Sequence, residues 1–303
     1  LALSAMIMGC AAPVSWAVTL HIAGEAVRRR ARATVMAAAS GGAAVGVLVN
    51  GVFVQTSTTV HSWRVAFVVA AAVALLPLLW GHRLFRAPVR RPPVASDRPV
   101  GGFREVVATR AGRVAVLAAL VAGLAGFPFS AFLTATALDE MLVSAPRAAL
   151  LWWVIGIAGA LGAPLFGALA DRRSPLLALT AGAAAYAAAL VVLLVTWSFN
   201  GLLAASLGFA AMNYPIWGLV GAAAHRHFPA STAVRAISLG LVGAALGGAI
   251  GNTAAGAWID AWSSFRVPVA LMTAVMVTLT SWYVYIVRTG GLDASVPNTG
   301  PRV

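Results

Sequence analysis

Long uncharged runs, each near the length needed to cross a membrane, alternate along this chain with short gaps that hold almost all of its charge. A helix rising about 1.5 Å per residue needs ~20 mostly apolar residues to span a hydrocarbon core of ~30 Å. Nine runs approach or meet that length, near 1–23, 33–55, 65–81, 114–137, 148–169, 176–197, 201–223, 236–258 and 267–287. They are continuously apolar, whereas barrel strands alternate over about ten residues, so they read as helices. The expected fold class is an all-α polytopic membrane protein with nine transmembrane helices.

Composition agrees: 61% of the 303 residues are hydrophobic and 10% are charged, against about 45–50% and 25% in soluble domains. The formal charge of +13 raises the question of nucleic acid. Its arginines, however, lie in gaps between apolar runs rather than on one water-exposed face, so no nucleic-acid partner is expected. All 21 basic residues are arginine, a bias that suits a GC-rich bacterial genome, and the expected location is a bacterial inner membrane. Cys10, the single cysteine, lies in an apolar run and excludes an intrachain disulfide. The first run has no charged leader before it, so no signal peptide is read there. It begins without methionine, directly in apolar sequence, and reads as truncated.

Orientation follows from the gaps, because arginine is retained on the cytoplasmic side during insertion. Eighteen of the 21 arginines fall in odd-numbered gaps or the tail; only Arg64, Arg147 and Arg266 fall in even-numbered ones. Strict alternation supports the span count and places the C-terminus in the cytoplasm.

An internal repeat organises the runs. Arg32-Ala33, a glycine-rich stretch, Asn50 and Trp63-Arg64-Val65 are matched by Arg235-Ala236, a glycine-rich stretch, Asn252 and Phe265-Arg266-Val267. Asn50 to Asn252 and Arg64 to Arg266 are both 202 residues apart. A duplication at that offset makes 1–81 the last three helices of one half, 82–113 a cytoplasmic linker, 114–288 a complete six-helix half and 289–303 a cytoplasmic tail.

Two halves joined by a cytoplasmic loop resemble the major facilitator superfamily, whose twelve helices form two six-helix bundles related by an axis along the membrane normal. Gly167-Ala168-Leu169-Ala170-Asp171-Arg172-Arg173 is similar to the family's loop motif of Gly, three residues, Asp, Arg, although Ser174-Pro175 replaces the usual continuation. Ser62-Trp63-Arg64-Val65-Ala66-Phe67 is similar to the stretch that opens the sixth helix. The resemblance covers essentially the whole chain and implies helices four to twelve, with the first three absent. Small residues at four-residue spacing let helices approach closely in lipid. Gly42 with Gly46, Gly243 with Gly247 and Gly251, and the trio Gly156, Gly159 and Gly162 are therefore expected in helix contacts. In the family the helices that carry them meet between the halves. The glycine-free third span is expected to face lipid.

Depth sorts the polar residues. Asn213 lies twelve residues into its span, about 18 Å from the outer edge and near the midplane. Trp217 is one turn further on the same face, and Pro215 frees a carbonyl that a cavity could use. The resemblance makes this helix ten, one of four that surround the substrate cavity, so Asn213, Tyr214 and Trp217 are the leading substrate contacts. Phe127, Pro128 and Ser130 on helix seven, with Pro13, Ser15, Trp16 and Thr19 on helix four, are further candidates. Asn50 and Asn252 lie about 24–26 Å from the cytoplasmic edge and suit an outer gate or packing. Asp171 and Arg172 lie at a cytoplasmic helix end, where the resemblance implies a latch to the start of helix five, and a helix N-terminus would itself attract the aspartate.

No carboxylate lies near the middle of any span. An acid that handles a coupling proton must then lie in the absent helices, or the carrier is uncoupled. The stretch Gly46 to Gly51 also lacks the Gly-Pro signature typical of drug–proton antiporters. A membrane enzyme would need clustered acid, base or metal groups. His21, His61, His82, His225 and His227 lie at span ends or in gaps, and His225-x-His227 reads as interfacial, without a nearby acid to complete a metal site. No cofactor or metal is expected. A sensor would usually carry a soluble domain. The expectation is a non-enzymatic carrier, secondary active or facilitative, acting as a monomer and moving a small organic solute across the bilayer by alternating access.

Overall fold

The computed structural model describes residues 2–56, 62–84 and 102–290. Side chains before Val14, at position 50 and through much of 52–84 are not described. Cys10, Pro13, Asn50, Trp63 and Arg64 are therefore placed only by backbone, and most of the linker and the tail beyond 290 lie outside the described residues.

Among the described residues the regular structure is helical throughout. The long helices are α1 (Ala2–Ala26), α2 (Arg32–Thr56), α3 (Ser62–Leu84), α5 (Arg110–Ala135), α6 (Ala145–Arg172), α7 (Pro175–Thr196), α8 (Phe199–His227), α9 (Ala230–Trp262) and α10 (Arg266–Arg288). Each contains one of the apolar runs. Seven segments, starting at Arg29, Arg110, Ala145, Pro175, Phe199, Ser231 and Arg266, are long and apolar enough to cross a membrane. The helices overrun the apolar runs because polar caps lie outside the hydrocarbon length. Thr109, Ser174 and Ser198 accept hydrogen bonds from the amides of Gly112, Leu177 and Gly201, and proline occupies the first turn of α6 and α7. Trp197 and Ser263 end α7 and α9 in the left-handed conformation. The segment expected as the linker contains a short helix, α4 (Phe103–Ala108), because Val106 finds a buried seat beside Gly112.

α8 is the axis of the bundle, packed against α2, α5, α6, α7 and α9, and it is the most enclosed of the seven spans. α2 runs antiparallel along α6 for nearly its whole length. A Cβ on Gly167 would stand 2.6 Å from the Cα of Thr34, one on Gly41 2.9 Å from the Cβ of Ala163, and one on Gly156 2.6 Å from the Cβ of Leu48. Small residues are thus required at this seam, as packing in lipid demands.

Two glycine expectations need correction. Gly42 and Gly46 meet nothing within 4 Å, and Gly162 likewise. The seam of α2 follows Ala37, Gly41, Ala44 and Leu48, spaced by three and four residues, and Gly42 is turned about 100° away from it. Gly243, Gly247 and Gly251 do pack closely, but on Val116, Leu120 and Leu124 of α5, within the segment that follows the linker and not between the segments. The described side chains of α3 are largely exposed, among them Val68, Leu76 and Trp80 at 68%, 58% and 73%.

Candidate functional site

Three levels along the bundle carry the candidate residues. At the arginine-rich end, α6 finishes beside the start of α2. The Asp171 carboxylate accepts from the amides of Ala33 and Thr34, at 3.0 and 2.9 Å, and from the Thr34 hydroxyl at 2.7 Å. Those amides belong to the first turn of α2, where N–H groups have no partner within the helix and the helix dipole is positive. Gly167, four residues earlier, gives the room that lets the two backbones approach. Arg172 points outward and is exposed. Beside this contact lies a cavity of about 290 Å³ lined by Arg29, Arg32, Asp171, His225 and Arg226 among others.

At the middle level, Asn213 of α8 is half-buried, and its Oδ1 is buried without a hydrogen-bond partner. It faces α5, since a Cβ on Gly126 would be 3.3 Å from that oxygen. Trp217, on the same face, is half-buried against the core. Tyr214 points elsewhere, toward Gly159 of α6, with its ring edge to Phe209. Trp16 of α1 is partly buried, and its indole N–H lacks a partner, whereas Thr19 is exposed. Ser130 donates to the carbonyl of Phe127, and the Phe127 ring packs on Gly248 of α9. Asn213 and Trp217 therefore share a face, while Tyr214 and Phe127 are committed to helix packing.

The carbonyl freed by Pro215 is also committed. That carbonyl, of Ala211, abuts Gly182 of α7, where a Cβ would be 3.1 Å away. Pro128 behaves alike, its freed Leu124 carbonyl abutting Gly251 of α9. In both places a glycine admits the released oxygen into a helix contact, so neither carbonyl is offered to a cavity.

At the opposite end, Asn252 is half-buried with an unpartnered Oδ1, and Asn50 is helical with its side chain outside the described set. A cavity of about 280 Å³ lies there between α2 and α6, lined by Val47, Gly51, Thr134, Leu138, Ala148 and Trp152. The Trp152 indole donates to the Thr134 hydroxyl across it at 2.9 Å. Glu140 accepts from the Phe265 amide at 2.7 Å, and Arg147 and Arg266 lie over the rings of Phe199 and Trp197. These contacts tie α6, α7, α8, α10 and the Thr136–Glu140 turn that continues α5 together at that end.

One cluster escapes a linear reading. His225, expected to be interfacial, has a side chain only 2% exposed, because α1 closes over it. It lies beside Glu25 and His21, with a ligand atom from each of the three within 4.8 Å of the others. The available signal was His21 and Glu25 themselves, four residues apart and hence on one helix face. The acid that His225 lacked nearby in sequence comes from 200 positions away.

The sequence model of the Major Facilitator Superfamily matches residues 1–227. No curated protein matches the chain. Among solved structures, the E. coli fucose:proton symporter FucP is 19% identical with a TM-score of 0.54, covering 72% of this chain and 54% of that one. FucP in the outward conformation gives 19% and 0.55, with 73% and 55% covered. A bacterial homologue of the iron transporter ferroportin, in an outward-facing state, gives 14% and 0.50, with 62% and 47% covered. The chain spans about half the length of these structures, and at such identities the likeness is one of fold.

Proposed function

The chain belongs to the major facilitator superfamily, a family of membrane transporters, and from that premise we propose that it serves to move a small organic solute across a bacterial inner membrane by alternating access. In this reading α1–α3 close one half and α5–α10 form the other. The arginine-rich end is cytoplasmic, and the halves rock about a cavity near Asn213 and Trp217 of α8. Trp16 of α1 and Ser130 of α5 complete its lining, with Thr19 nearer its rim. The orphaned Oδ1 of Asn213 and N–H of Trp16 support this placement. Buried polar atoms left unpaired cost about 1–3 kcal/mol each, which a polar solute or water entering the cavity would recover.

The observation that carries the reading is the Asp171 contact. It joins α6 to α2, on either side of the linker, through charge-assisted hydrogen bonds that separate when the halves part. Asp171 would hold the cytoplasmic side closed, with Arg172 exposed beside it, while Asn252 and Asn50 lie at the outer gate.

The repeat supports the assignment of helices four to twelve. At the 202-residue offset, Gly42 and Gly46 correspond to Ala244 and Gly248. Ala244 and Gly248 pack on Gly123 and Phe127 of α5, whereas Gly42 and Gly46 meet open space. Their exposed face is therefore the twin of one that a helix covers in the other half.

Uptake into vesicles containing the purified protein tests the function. Neutral sugars, organic acids and amino acids would be presented with and without a proton gradient. At least one solute should enter faster than into protein-free vesicles and slow when Asn213 becomes leucine. Entry at the protein-free rate for every class would defeat the proposal.

A further inference from the structure

The ends of α1 and α8 bring together side chains for which transport supplies no task. His21 and Glu25 share a face of α1, and His225 reaches them from α8. Its Nδ1 is 3.6 Å from Glu25 Oε1, and the two imidazoles stack with centroids 5.7 Å apart. His225 is almost wholly buried, yet its Nε2 has no hydrogen-bond partner, nor has Nδ1 of His21. Buried ring nitrogens are ordinarily satisfied, and no group of the described residues occupies these two.

We propose that His21, Glu25 and His225 bind a divalent transition-metal ion of the zinc type, bridging the segments before and after the linker. Two imidazoles and one carboxylate are a zinc-like donor set that leaves a fourth position for water. Tetrahedral coordination at about 2.0–2.1 Å places ligand atoms about 3.3 Å apart. Side-chain rotation of the half-exposed Glu25 and the stacked His21 closes the difference from 4.8 Å. Gly24 belongs to the site: a Cβ there would stand 2.8 Å from His225 Nε2, so a side chain at this position would displace the imidazole from α1 and with it the Nδ1 that faces Glu25. His225 also borders the cavity shared with Asp171, which offers an ion a path in. Arg29, Arg32 and Arg226 line the same cavity with Asp171 and oppose a highly charged cation, and Glu25 is the one carboxylate among the three ligands. That balance disfavours hard ions such as Ca²⁺ and Mg²⁺, which need several oxygen donors, and favours an ion held through nitrogen.

An ion here would fasten α1 to α8 close to where Asp171 fastens α6 to α2. Resting on the transport reading, the consequence is that the ion slows transport by holding this end closed; the site itself does not depend on that reading.

The test uses the purified protein with Co²⁺ and Zn²⁺ alone. One Co²⁺ per chain should give the intense visible band of tetrahedral nitrogen and oxygen coordination, displaced by Zn²⁺. His21→Gln and His225→Gln should each weaken Zn²⁺ binding about ten-fold or more. Gly24→Ala should weaken it with all three ligands kept. An octahedral Co²⁺ spectrum in the unmodified protein, or Zn²⁺ affinity unchanged in His225→Gln, overturns the site. In vesicles, Zn²⁺ should slow transport by the unmodified protein and not by His225→Gln. Binding intact with transport indifferent to Zn²⁺ overturns the locking role, and absence of any transport without Zn²⁺ tells against the transport reading instead.

Discussion

Asp171 shows how much one side chain can carry in a bundle with few charges. Its carboxylate satisfies two amides of the first turn of α2 and the hydroxyl of Thr34. Hydrogen bonds to a charged acceptor contribute about 1.5–3 kcal/mol when shielded, and the half-exposed setting reduces this. Asp171→Ala should therefore lower stability in detergent by about 1–2 kcal/mol. Asp171→Asn, still able to accept at a helix start, should cost less, and chemical denaturation would rank the two. At mid-depth the expected sign differs. Asn213 contributes an acceptor without a partner, so Asn213→Leu should leave the melting temperature unchanged or raise it while impairing transport. A clear loss of stability would show that Asn213 is a packing residue.

Between elements, the glycines decide which helices touch. Gly156→Ala places a methyl within 3 Å of the backbone of Leu48 and should cost about 1–3 kcal/mol by overpacking. Gly162→Ala, on the same helix with nothing within 4 Å, should be neutral or slightly stabilising, since alanine favours helix. Thermal melts of the two variants separate a seam from an open face. The same contrast marks how far the sequence could be read. Helix existence was legible because twenty apolar residues leave the backbone one way to satisfy itself in lipid. Asp171 was legible as a partner for the start of α2 because the resemblance implied that contact, and the positive end of a helix dipole agrees with it. The face that Gly42 presents was not, since glycine spacing identifies a close-packing surface without saying which rotation meets which neighbour. The freed carbonyl of Ala211 was misjudged for a related reason: Pro215 releases it, but Gly182 of α7, far off in sequence, determines where it goes. His225 was missed because its environment is made by α1.

For the whole molecule, two kinds of connection hold the segments before and after the linker together. Along α2 and α6 the contact is a seam of small residues, suited to rolling or sliding without loss of polar bonds. At the arginine-rich end it is polar and localised, at Asp171 and beside Glu25 and His225. A carrier that alternates between two states needs such a combination: a low-friction seam and a contact that is made in one state and broken in the other. Removing the polar contact should shift the population of states without abolishing the fold. The direct measurement is thiol accessibility at mid-depth. Asn213→Cys, in a background with Cys10 replaced, would be treated in oriented vesicles with a water-soluble thiol reagent from one side and then the other. Labelling is expected from both sides of the membrane, with Asp171→Ala increasing the rate from the arginine-rich side. A cysteine at this position that stays unreacted from either side, in both backgrounds and with any solute present, would contradict the central cavity and the alternating access built on it.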